Sequence, residues 1–130
     1  PLAFASKIEF SAHHRPSENG QLEFSVIQDQ RGSSGYRVII AMGQRRSIEL
    51  TSILNGRTRV IDTATIDDLS GGQSHALEWR RDGSGQIEIL LDDTSLFKAN
   101  DRSFRYPFKR MAITNQGGDF AISSVALFGE

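Results

Sequence analysis

Cysteine is absent from this chain of 130 residues, and proline and lysine number only 3 each. Without cysteine there is no disulfide framework, no thiolate metal site and no cysteine nucleophile. No apolar run approaches the roughly 20 residues that span a bilayer. Pro1-Leu2-Ala3-Phe4 lacks the charged start and apolar stretch of a signal peptide. An excess of one charge is missing too. With 15 basic and 16 acidic side chains the formal net charge is -1, so no global field draws the protein to nucleic acid or to an anionic membrane. The opening on Pro1 rather than Met leads to the expectation of one domain, residues 1–130, cut from a longer protein. That length encloses a core without staples. Compartment stays open, with a secreted or extracytoplasmic setting preferred.

What is abundant is arginine, 12 against 3 lysines. Its planar fork pairs bidentately with carboxylates and stacks on flat faces. Either genomic base composition or a surface for acidic glycans and partner carboxylates accounts for the bias.

The pattern that organises the chain is HALEWRRDGSGQIEILL, residues 75–91. Leu77 and Trp79 share one parity, and Ile87, Ile89 and Leu91 share another across the turn Asp82-Gly83-Ser84-Gly85. Period-2 alternation with one apolar face predicts a half-buried antiparallel hairpin. The same alternation predicts strands around Phe4 to Ala12, with Ile8 and Phe10 inward, and around Leu22, Phe24 and Val26. Tyr36 to Met42 is apolar enough on both faces to be a central strand. Ile48, Leu50 and Ser52 continue on one face, and Asn55-Gly56 signals a tight hairpin into Thr58–Asp62. Residues 63–74 are expected as a polar connection, with a short helical turn opening at Asp67-Asp68-Leu69 and stopped by Gly71-Gly72. Asp92-Asp93 is a turn, and residues 100–108 (NDRSFRYPF) form a crossover pinned by their aromatics. Met111 and Ile113 restore the strand pattern. In the last strand Phe120 and Ile122 disagree in parity with Val125 and Leu127, which predicts a β-bulge at Ser123-Ser124. About ten short strands and almost no helical periodicity give an all-β fold: an antiparallel β-sandwich, a jelly roll of two packed sheets.

Two stretches carry a family resemblance. HALEWRRDGSGQIEILLDDTSLF resembles the central hairpin of the concanavalin A-like lectin/glucanase superfamily, laminin-G-like modules included, with His75, Leu77, Trp79, Arg81, Gly83, Ile87, Ile89 and Asp92 at the matching places. Asp93 departs from the usual glycine. MAITNQGGDFAISSVALFG resembles the closing strand of the same sandwiches. The resemblance covers about the last 60 residues and implies the fold more than an activity, since lectins, glycosidases and adhesive modules share it. Members are commonly longer, which implies one or two opening strands supplied upstream or by a partner chain. It also implies that calcium, where bound, would use rim aspartates such as Asp62, Asp67, Asp68 and Asp101. The family's enzymes carry a Glu-x-Asp-x-x-Glu strand, which is not present here. Glu49, Glu78 and Glu88 stand singly on outward parities.

Other chemistry is thinly represented. His13-His14 diverge on a strand and lack a third ligand, so no metal site is assigned. There is no Gly-x-Ser-x-Gly and no phosphate-binding loop. What remains is binding. Sugars are held on β-sandwiches by aromatic faces and planar polar side chains. Those types nominate Tyr36, Arg37, Arg45, Arg46, Arg80, Arg102, Tyr106 and His13 as ligand-binding, with no catalytic residue. Trp79 shares the parity of Leu77 and is assigned to the core. The expected function is a non-catalytic carbohydrate-binding or adhesion module of a larger secreted or surface protein. The alternatives are a structural β-sandwich that pairs with a partner chain or itself and, behind that, a glycoside hydrolase or lyase.

Overall fold

A computed structural model describes residues 4–13, 19–28, 31, 33–104 and 108–129. It contains ten strands: β1 (Phe4–Ala12), β2 (Gly20–Ile27), β3 (Gly35–Met42), β4 (Ser47–Leu54), β5 (Arg57–Thr65), β6 (His75–Arg81), β7 (Gln86–Leu91), β8 (Thr94–Asn100), β9 (Arg110–Gln116) and β10 (Phe120–Gly129). They form two antiparallel five-stranded sheets, β10-β1-β6-β7-β8 (the first sheet) and β5-β4-β3-β2-β9 (the second). The chain changes sheet between β1 and β2, β5 and β6, β8 and β9, and β9 and β10.

Alternation decides which side chains meet between the sheets. Ile8, Phe10, Leu77, Trp79, Ile87 and Ile89 from the first sheet pack with Leu22, Phe24, Tyr36, Val38, Ile40, Ile48 and Leu50 from the second, nearly all fully buried. Trp79 is 0% exposed and meets Phe4 edge-on at 5.2 Å between ring centroids. Burying a side chain of this size withdraws enough apolar surface that truncation to alanine would cost about 3–5 kcal/mol. As the hairpin signal required, β6 and β7 pair with Trp79 opposite Ile89 and Leu77 opposite Leu91. β3 lies at the centre of its sheet.

The turns follow their chemistry. Asn55 and Gly56 both take positive φ, at 52° and 79°. Asp82 caps the β6–β7 turn, its carboxylate accepting from Ser84 Oγ at 2.7 Å and from the Gln86 amide at 3.0 Å. These bonds, the Ser84 hydroxyl foremost, pull its carboxyl below the usual aspartate range. On β10 the register against β1 slips by one residue, with Glu9 opposite Ser124 and Phe10 opposite Ile122, so Ser123 is the extra residue of the expected bulge. Ser123 Oγ donates to the Glu9 carbonyl at 3.2 Å.

Residues 66–69 correct one expectation. No helical turn forms there, and β5 runs on to Thr65. Ile66 and Leu69 are instead buried and packed into the core, a pairing of positions that anchors the segment without a helical turn. The aromatic pinning expected of the β8–β9 crossover is partly described: Phe104 packs on Tyr36 at 4.7 Å, and Phe108 on Phe4 at 5.4 Å. Residues 105–107 lie outside the described residues.

Candidate functional site

The outward face of the second sheet is built from strand residues of even register with one another. Pairing aligns Gln116, Gln21, Ala41, Ser47 and Thr65 in one cross-strand row. The next row is Thr114, Glu23, Ile39, Glu49 and Thr63, followed by Ala112, Ser25, Arg37, Thr51 and Val60. Small and polar side chains dominate, and among the described residues no aromatic stands on this face. Arg37 Nε lies 3.6 Å from Glu23 Oε2, and Thr51 Oγ1 donates to Glu49 Oε2 at 3.3 Å. Glycoside hydrolysis needs two carboxyl groups ~5–9.5 Å apart, one of them kept protonated by apolar surroundings. Glu23 faces the Arg37 guanidinium and Glu49 the Thr51 hydroxyl, with Ile39 between them in the same row.

At its upper edge this face runs into the end of the sandwich where loops cluster. The β3–β4 turn (residues 43–46), the start of β2 and the 66–74 connection meet there. The Arg46 carbonyl accepts from the Ile66 amide at 3.3 Å, and the Ala12 carbonyl accepts from the Gly72 amide at 3.1 Å. A hollow of about 430 Å3 opens at this junction, lined by Asn19, Gly20, Gln21, Ala41, Met42, Gln44 and Arg45. Its size is on the scale of small-molecule sites. Its lining combines three amide residues and one arginine with Gly20, Ala41 and Met42.

The fold gathers some of the nominated residues and scatters others. Arg45 lines the hollow, and Arg46 lies beside it in the same turn. Arg37 lies two rows down on the same face. His13 is at the same end of the sandwich, where its backbone amide donates to the Asp119 carbonyl at 2.9 Å and its ring closes against Gly72. Arg80 belongs to the opposite sheet, held by Glu78 at 2.6 Å beside a second, smaller hollow of about 210 Å3 with Asp82, Gln86, Glu88 and Lys98. Its bond to Glu78 raises its already high pKa further. Arg102 lies at the other end, Nε donating to the Ser84 carbonyl at 3.2 Å. Tyr106 falls outside the described residues.

Tyr36 is a correction. Its ring is fully buried between the sheets and offers no face to a sugar. Desolvation first, countered in part by its bond with Arg81, pushes the phenol up to about 12. The aspartates implied for calcium do not converge either. Asp67 and Asp68 lie at the loop-rich end, whereas Asp101 is buried at the other, accepting from the Ser103 amide and facing Arg59 at 3.6 Å. Among the described residues no group of three or more His, Asp or Glu is placed to hold a metal ion. Asn19, Gln21 and Gln44 were not nominated from sequence. Each sits in a polar turn or on an outward parity, and only the sheet order shows that they share one hollow.

No protein-family model matches the sequence, and no curated protein matches it. Solved structures do. The chain superposes with a TM-score of 0.77 on the metal-free carbohydrate recognition domain of Emp46p, at 15% identity over 98% of this chain and 71% of that one. It superposes on sheep galectin-11 at 0.71, with 14% identity over 98% of this chain and 91% of that one. On a carbohydrate-binding module from Bacillus subtilis the score is 0.70, with 15% identity over 98% and 75%. The chain shares with these structures one fold, an antiparallel sandwich of two sheets.

Proposed function

We propose that this chain is a non-catalytic carbohydrate-binding module, serving adhesion or targeting within a larger secreted or surface protein. It would bind its glycan where the outward face of the second sheet meets the β3–β4 turn. The observation that carries the reading is the convergence of Asn19, Gln21, Gln44 and Arg45 on one hollow. Amide and guanidinium groups supply donors and acceptors at fixed angles, which suits vicinal hydroxyls, and Arg45 adds a fork for a sugar carboxylate. The fold it shares with a carbohydrate-binding module and a carbohydrate recognition domain supports the ligand class. Glu23, one row below, and Arg37, two rows below, extend the polar surface for a longer chain. The reading is non-catalytic because the chain lacks the Glu-x-Asp-x-x-Glu strand that the resemblance ties to hydrolysis, and Glu23 and Glu49 are engaged by Arg37 and Thr51.

A glycan array that includes acidic polysaccharides tests this. Binding is expected, lost in Arg45→Ala and Gln44→Ala, with no cleavage of the bound glycan. Flat responses across the array would remove the sugar reading. Binding that survives both substitutions would remove the site.

A further inference from the structure

One flank of the sandwich is finished and the other is open. At the finished flank the edges β5 and β8 are tied by Arg59 and buried Asp101. At the open flank lie β9 and β10. Ile122, Val125 and Leu127 pair across β1 with Phe10, Ile8 and Ser6, all inward and buried, so they too point inward. Yet they are 38%, 46% and 52% exposed. Ile113 of β9, opposite buried Phe24, is 39% exposed, and Phe128, on the outer face of β10, is 65% exposed. Apolar side chains facing the interior here lack the cover the rest of the interior has.

The edge itself is unguarded. Edge strands are ordinarily blunted by charge, proline, shortness or a bulge, because their free backbone groups would otherwise pair with another strand. β10 spans 10 residues, FAISSVALFG, with no charge and no proline. Its single device is the bulge at Ser123, which leaves residues 124–128 regular.

We propose that this flank is a self-association surface on which residues 124–128 of a second copy pair antiparallel with the same residues, across a twofold axis at Ala126. The segment is complementary to itself in this register. Val125 meets Leu127 of the second copy on the inner face, Ser124 meets Phe128 on the outer face, and small Ala126 sits on the axis. No charge meets a like charge. Among the described residues, the charged side chain paired with the axis position is Lys7, opposite Ala126 on β1. The two copies of Lys7 stand three strand spacings apart, about 14 Å, beyond the Debye length at physiological salt. A charged foreign strand would find no counter-charge along β10, whereas the chain itself supplies an uncharged one.

Sedimentation velocity across a wide concentration range tests the proposal. The wild-type chain is expected to dimerise. Leu127→Lys, which places a charge in the pairing row, and Ala126→Lys, which sets two charges facing on the axis, are each expected to weaken the dimer about 100-fold or more. Circular dichroism checks that both keep the sheet. If either misfolds, hydrogen exchange on the wild type decides: the amides within residues 124–128 that point away from β1 should gain protection as concentration rises. A wild-type monomer at every concentration, a dimer indifferent to both substitutions, or protection that does not follow concentration would overturn it.

Discussion

Arg81 Nε donates to the Tyr36 hydroxyl at 3.3 Å inside the sandwich, while its Nη2 donates to the Asp101 carbonyl at 3.0 Å. Arg81 is 4% exposed on the same inward parity as Trp79 and Leu77. A guanidinium there is tolerable only because its donors are met, since an unpaired buried polar group costs about 1–3 kcal/mol. Arg81→Met should therefore destabilise by about 2–4 kcal/mol, from the orphaned phenol and carbonyl together. Tyr36→Phe should cost about 1–2 kcal/mol. Urea unfolding of both variants reads the two losses.

The same pair predicts an alkaline limb. The folded pKa of Tyr36 is raised to about 12 from 10.0, chiefly by burial. In the unfolded chain the phenol ionises near pH 10, while in the folded protein it stays protonated. The stability this group contributes is complete below pH 10 and is lost as pH rises toward 12. Tyr36→Phe should flatten that limb, measured as the difference between the two proteins in stability from pH 9 to 12.

Trp79 is the single tryptophan and is fully buried. Its fluorescence should be blue-shifted and resistant to iodide quenching, turning red only on unfolding. Saturating glycan should leave it unchanged, because the hollow lies on the other side of the second sheet.

Two turns should respond in opposite directions to substitution. A Cβ at Gly85 would lie 2.4 Å from the Asp101 carbonyl oxygen, at a φ of +92°. Gly85→Ala should cost about 2–4 kcal/mol, as the β6–β7 turn and the strap after β8 are pushed apart. Asp93 holds a φ of 66°, in the left-handed region that favours glycine. Asp93→Gly should be neutral or add up to about 1 kcal/mol, as left-handed strain is relieved. Thermal melts distinguish the two.

The strands, the hairpin and the bulge were legible because period-2 alternation and turn chemistry are local. The Ser123 bulge followed from a parity conflict within ten residues. His75 and Asp92, singled out by resemblance, are joined at 2.7 Å. What parity cannot say is whether an inward side chain is covered. Val125 and Leu127 point inward and stay half exposed, and Tyr36 and Arg81 go inward with their polar ends paired. The hollow was the least legible part. Gln21, Gln44 and Asn19 come together only because β2 lies beside β3 and the β3–β4 turn folds over that end, which no local pattern encodes.

The most direct test of the central claim is a nuclear magnetic resonance titration of the isotope-labelled chain with a glycan retained on the array. The amides and side-chain amides of Asn19, Gln21 and Gln44 and the Arg45 guanidinium should shift together with one dissociation constant. Shifts confined to the first sheet around Arg80 and Lys98, or no saturable shift with any array hit, would contradict the account.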